Sequence, residues 1–189
     1  MTNTVEDLTE AQTIFIIGSN TTVAHPVISY RIRQAVRELG AKLIVADPRR
    51  IPLVEAATLW LPLRPGTNVA LLNAMMQVIL EEGLADRAFV EARTEGFAAF
   101  AASLPQCTPE WAAGIADISA DTIRRLAHEY LDHAQVGATI DIEGVTHPHR
   151  PVAEVLGKTV TNGWGGYECC WGRTMLAALV GALEVPGGI

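Results

Sequence analysis

Thr-Ile-Phe-Ile-Ile-Gly-Ser-Asn-Thr-Thr, residues 13–22, opens the segment that decides the fold, and Lys-Leu-Ile-Val-Ala-Asp-Pro-Arg-Arg, residues 42–50, closes it. The runs Thr13 to Ile17 and Lys42 to Ala46 are apolar without polar alternation. That pattern marks strands buried on both faces. Between them His25-Pro26 starts a helix, with Pro26 suited to the first helical position. Ile28, Ile32, Ala35, Val36 and Leu39 recur at helical spacing, Arg31, Arg33, Arg37 and Glu38 take the other face, and Gly40 is a stop. Strand, turn, helix and strand in this order make a βαβ unit, so the two strands are expected to be parallel. The predicted class is α/β: a mostly parallel, Rossmann-like, three-layer sheet with helices on both faces.

Outward from this unit, Leu59 to Leu63 reads as a third short strand, weakened by Pro62. Thr67 is expected to cap a helix that buries one face, Val69, Leu72, Met76, Ile79 and Leu80, and ends at Gly83. Residues 86–92 and 96–102 read as short helical pieces. Thr108-Pro109-Glu110 has cap, proline and acid in order for a helix start. Ser119 starts another helix, with Ile123, Leu126, Ala127 and Tyr130 inward. Val136 to Ile142 is expected as the fourth strand, 143–168 as a long loop, and Met175 to Leu183 as the last helix. No internal repeat stands out. Residues 1–189 are read as one domain. The closing Pro186-Gly187-Gly188-Ile189 is a turn that ordinarily leads onward, so the chain is expected to be a fragment of a longer one.

Composition narrows the partners. Fourteen basic against twenty-one acidic residues give a net charge of −7. Nucleic acid is not an expected partner, because phosphate neutralisation needs clustered Lys and Arg. No run of apolar residues is long enough to predict a membrane span. The start, Met-Thr-Asn-Thr-Val-Glu-Asp, lacks a signal-peptide pattern. A cytoplasmic place is therefore expected over a periplasmic one, the compartment being otherwise open. Cys107, Cys169 and Cys170 include no Cys-x-x-Cys, so no zinc ribbon or iron–sulfur cluster can be built from these residues alone.

In open parallel sheets, ligands bind beyond the carboxyl ends of the strands. Three such ends carry suitable turns. Gly18-Ser19-Asn20 follows the first strand, where glycine allows close backbone approach and the next helix's amides favour an anion. Asp47-Pro48-Arg49 follows the second, with a carboxylate for ribose hydroxyls or a guanine edge and a guanidinium for an anionic group. Gly66-Thr67-Asn68 follows the third and precedes a helix. Together they read as a nucleotide cradle, although each alone is also an ordinary turn. No G-x-G-x-x-G follows the first strand and no GxxxxGK[ST] occurs, which argues against a standard nicotinamide site and a P-loop. His147-Pro148-His149 reads as a loop pair rather than a metal site, since no third ligand stands at a recognisable spacing. Trp164, Tyr167 and Trp171 in a glycine-rich stretch either line a funnel or pack the domain. No catalytic residue and no metal ligand is singled out.

Several stretches also resemble a known family. They are Ile-Ile-Gly-Ser-Asn-Thr-Thr-Val-Ala-His-Pro (16–26), Gly-Ala-Lys-Leu-Ile-Val-Ala-Asp-Pro-Arg-Arg (40–50) and Leu-Arg-Pro-Gly-Thr-Asn-Val-Ala-Leu-Leu-Asn-Ala-Met (63–75). In this order they resemble the molybdopterin oxidoreductases of the dimethyl sulfoxide reductase family, nearest the catalytic subunit of formate dehydrogenases. Ala-Arg-Thr-Glu-Gly-Phe (92–97), Thr-Pro-Glu (108–110) and Leu-Val-Gly-Ala-Leu-Glu-Val-Pro-Gly-Gly (179–188) carry the resemblance on.

The resemblance implies a bis(molybdopterin guanine dinucleotide) cofactor, with Gly18, Ser19, Asn20, Asp47, Arg49, Gly66 and Asn68 as its binding positions. It implies that an iron–sulfur cluster and the molybdenum ligand belong to parts of the enzyme outside this sequence. The remaining domains of that enzyme and an electron-transfer subunit are then the expected partners. The expected function is formate-dehydrogenase-like two-electron redox chemistry, with the isolated chain catalytically silent. An oxyanion or sulfur substrate within the same family, or a non-catalytic cofactor-binding or assembly protein, are the other readings. A nicotinamide-binding module is a further one.

Overall fold

The computed structural model describes residues 3–189, the side chain of Thr159 aside. The first strand, β1 (Thr13–Ile17), is buried at all five positions. Side chains alternate across a strand, so both faces of the sheet are covered there. A short turn of helix, α1 (Thr21–Ala24), and the longer α2 (Pro26–Glu38) lead to β2 (Lys42–Ala46). β2 lies parallel to β1 in register from Thr13 with Lys42 to Ile17 with Ala46. β3 (Leu59–Leu61) extends the sheet beyond β2. It stops short of the expected Leu63, and Pro62, which has no amide to donate, follows directly.

Five helices follow: α3 (Asn68–Glu81), α4 (Arg87–Arg93), α5 (Phe97–Ser103), α6 (Pro109–Ala116) and α7 (Ala120–Leu131). Asp86, Thr108 and Ser119 cap α4, α6 and α7, accepting from the amides of Phe89, Trp111 and Thr122. Each such cap contributes about 1 kcal/mol. The inward face of α7 is Ile123, Leu126, Ala127 and Tyr130, as the periodicity predicts. α3 departs from expectation in two ways. It is buried on most sides, with Leu71, Ala74, Met75 and Val78 inside as well as Leu72, Met76 and Ile79, because α6, α7 and a later helix surround it. Thr67 sits at its N-cap, but the hydroxyl donates to the carbonyl of Arg64 instead of capping.

The largest difference lies after residue 136. The expected strand and long loop give way to a separate hairpin and the true fourth strand. β4 (Thr139–Ile142) and β5 (Val145–Pro148) pair antiparallel around Glu143 and Gly144, both at positive φ, and stand mostly exposed. Two positive-φ residues are what a tight two-residue hairpin turn demands. β6 (Val152–Leu156) then pairs with β1, giving a wholly parallel four-stranded sheet in the order β3-β2-β1-β6. Glu154, in the middle of β6, hides the strand from an apolar-run reading. The carboxyl is nevertheless buried, accepting at 2.8 Å from the Tyr130 hydroxyl. Burial pushes its pKa up to about 8, against the opposing pull of the Tyr130 hydrogen bond and Arg173.

The hairpin is tied down at its base. Arg150 is buried, pairs with Asp86 at 2.7 Å, and donates to the carbonyls of Gln135, Ala138 and His149. After β6 come α8 (Lys158–Thr161) and α9 (Gly166–Val180), which starts well before the expected Met175 and stops at Gly181. One continuous apolar cluster joins the sheet to α2, α3, α7 and α9.

Candidate functional site

The carboxyl ends of β1, β2 and β3 open into one cavity of about 310 Å³. Of the residues expected there, Gly18, Asp47, Arg49, Gly66 and Asn68 line it. Ser19 and Asn20 are not among the lining residues. Ser19 is buried, and Asn20 stands at the N-cap of the four-residue α1 with its Oδ1 buried and unpartnered.

Gly18 also has a packing reason to be glycine. Its φ is +55°, and a Cβ there would lie 2.1 Å from Cγ2 of Val160 on α8. A Cβ on Gly157 would lie 1.9 Å from the carbonyl oxygen of Gly18. The two glycines let the segment after β6 close directly onto the turn after β1.

Asp47 is only 1% exposed. Its Oδ1 accepts from the backbone amide of Arg49 at 2.8 Å and approaches Arg49 Nε at 3.5 Å. Its carbonyl accepts from Trp60 Nε1 at 2.9 Å. The carboxylate therefore shapes the 47–49 turn, and Asp47 is among the residues lining the cavity, while the Arg49 side chain remains 66% exposed. Arg64 lines the cavity as a second cation.

Asn68 is the first residue of α3, and its Oδ1 is buried without a partner. A buried polar atom left unsatisfied costs roughly 1–3 kcal/mol. The starts of α3 and of α9 both meet the cavity, through Asn68 and Gly165. First-turn amides have no acceptor within their own helix, and the positive end of the helix dipole favours an anion.

Sequence reasoning left Trp164 between lining a funnel and packing the domain, and missed the rest of the wall contributed by 160–169. Val160, Gly163, Trp164, Gly165 and Cys169 all line the cavity. The signal was present in Asn-Gly-Trp-Gly-Gly, residues 162–166, a tryptophan set among three glycines. Burial pushes the Cys169 thiol up to about 11, with a smaller push from Cys170, so it is a neutral part of the wall. His147 lies on the exposed hairpin, and among the described residues no three His, Cys, Asp or Glu side chains come together as a metal site. The lining residues thus carry recognition chemistry: two cations, an acid, an amide, two helix starts and an apolar wall.

A wholly parallel sheet with helices against it and a cavity across three strand ends defines an open α/β domain, in which ligands bind beyond the carboxyl ends of the strands. The family description Molybdopterin oxidoreductase matches residues 1–189. The chain belongs to the molybdopterin oxidoreductase family.

Among its relatives, F420-dependent formate dehydrogenase 1 subunit alpha of Methanococcus maripaludis is 36% identical over 187 residues, 99% of this chain and 25% of the relative. Formate dehydrogenase H of Escherichia coli is 36% identical over 98% of this chain and 24% of its own length. Nitrate reductase of Symbiobacterium thermophilum is 46% identical over 84% of this chain and 22% of its own length. Acetylene hydratase from Pelobacter acetylenicus shares the architecture, with a TM-score of 0.78 at 26% identity over 97% of this chain and 24% of that one. The chain therefore spans about a quarter of the length of the relatives it matches. Among the described residues no helix is long and apolar enough to cross a membrane.

Proposed function

We propose that the cavity binds one guanosine diphosphate arm of a molybdopterin guanine dinucleotide, as part of a larger molybdenum oxidoreductase. The observation that supports this reading is that Asn68, whose Oδ1 is buried without a partner, and Asp47 are both among the residues lining the cavity. Guanine presents adjacent N–H donors on one edge, which these two acceptors complement; adenine's edge offers a donor beside an acceptor. Arg49, Arg64 and the starts of α3 and α9 would hold the diphosphate. A volume of about 310 Å³ is at the low end of ordinary ligand cavities (~300–1,000 Å³), which fits a nucleotide arm and not a whole dinucleotide. When bound, the cofactor supplies two-electron redox chemistry at molybdenum; the residues of this chain bind and orient it.

The direct test is calorimetry of the chain with GDP, ADP and NAD. GDP is expected to bind most tightly, and a clear preference for NAD would sink the reading. An iron–sulfur cluster, the metal ligand and the electron-transfer partner are assigned to the remainder of the enzyme. For the substrate, the formate dehydrogenases matched over nearly the whole chain support formate. The higher identity to a nitrate reductase supports a second reading, an oxyanion acceptor. Assays of the full-length enzyme separate them: formate-dependent viologen reduction for the first, nitrate-dependent oxidation of reduced viologen for the second.

A further inference from the structure

We propose that Trp164 is the stacking residue of this cavity, its indole covering the flat face of the bound purine. The proposal rests on the guanine nucleotide reading and adds a residue that determines affinity. Trp164 lines the cavity and is fully exposed, whereas tryptophan is on average a well-buried residue. It stands on the short connection between α8 and α9, with Gly163 on one side and Gly165 and Gly166 on the other. Gly165 has a φ of +71°, and a Cβ there would find only Val69 Cγ2, at 3.7 Å, within contact range. The indole therefore sits on a backbone with little side-chain bulk to hold it, at the rim of a cavity whose other walls carry the hydrogen-bonding groups. Asp47 and Asn68 can read the edge of a base, but neither can cover its face. An exposed aromatic ring lining the same cavity can supply the missing surface, and base–aromatic stacking is a substantial part of the affinity where it occurs.

Tyr167 and Trp171, also exposed and 6.1 Å apart by ring centroids, continue along α9 but are not among the cavity's lining residues. The stacking role is assigned to Trp164 alone.

The test compares the chain with its Trp164→Ala and Trp164→Phe variants by GDP calorimetry, tryptophan emission and melting temperature. Trp164→Ala is expected to keep its melting temperature, because the side chain is outside the core, and to lose roughly tenfold in affinity. Trp164→Phe is expected to bind within about threefold of the parent, since a phenyl face also stacks. GDP should quench tryptophan emission more strongly in the parent than in Trp164→Phe, whose remaining Trp60, next to Asp47, reports only the change at the 47–49 turn. If GDP binds equally well to the parent and to Trp164→Ala, or if Phe loses as much affinity as Ala, stacking is overturned while the nucleotide site stands. If the parent does not bind GDP at all, both proposals fall.

Discussion

Two single residues carry the sharpest consequences. Asn68 lines the cavity and has a buried amide oxygen with no partner, so Asn68→Ala removes the acceptor assigned to the proposed guanine. GDP affinity should fall about tenfold, read by calorimetry, in line with ~1–3 kcal/mol for a buried hydrogen-bonding group. An unchanged Kd would take Asn68 out of the site. Glu154 predicts a pH dependence. Its folded pKa of about 8 lies above the ordinary 4.5, so between these values the folded chain binds the proton that the unfolded chain has released. The stabilisation it confers is complete below pH 4.5 and is lost as pH rises towards 8. Urea midpoints should fall from pH 5 to pH 8, and Glu154→Gln, which keeps an acceptor for Tyr130 without the titration, should flatten that fall. His133 acts in the opposite sense, its pKa being lowered by burial first and then by Lys42. Comparing parent with variant therefore isolates Glu154. Equal slopes in the two proteins would contradict its buried, raised state. The same carboxyl explains why β6 was illegible in sequence. An acid in a run of five reads as exposed until its buried partner, Tyr130, is located 24 residues away.

At the scale of elements, the crossing of the β1 turn with α8 makes Gly18 and Gly157 a matched pair. Gly18→Ala meets both a positive φ and the Val160 methyl. It should cost about 1–3 kcal/mol in chemical denaturation. Adding Val160→Ala should recover the part due to the collision but not the backbone strain. Gly157→Ala places its methyl against the Gly18 carbonyl and Ser19 Cα, which are backbone and cannot rotate aside, so it should destabilise more, with no such rescue. A Gly18→Ala variant as stable as the parent would show that the two segments do not meet as described. β1, α2 and β2 were readable because apolar runs, a proline and a glycine lie within 13–46, where local pattern and tertiary role agree. The hairpin of β4 and β5 was not, because Glu143-Gly144 is a weaker turn signal than Asn-Gly or Asp-Gly, and neither strand buries a face.

Across the whole molecule, the Arg150–Asp86 pair joins the hairpin base to the start of α4 and, through the Asp86 amide and Leu179 carbonyl, to the end of α9. Both side chains are nearly buried. Removing one partner leaves a charge without its counterion, so Asp86→Ala or Arg150→Met should each cost about 3–5 kcal/mol. The double variant should cost clearly less than the sum, measured as a cycle of unfolding free energies. Additive losses would mean that the two groups do not depend on each other. The sequence by itself determined the α/β class, the first parallel pair and the three strand ends, while the seven candidate positions came with the family resemblance, and five of them line the cavity. The class, the pair and the strand ends follow from residues close together in the chain. Only the tertiary structure decided that β6 completes the sheet and that residues from 160–169 join the strand-end turns in lining the cavity. A strand's side chains record how deeply it is buried, not which distant strand it will lie beside, so that choice is made only when the whole core assembles.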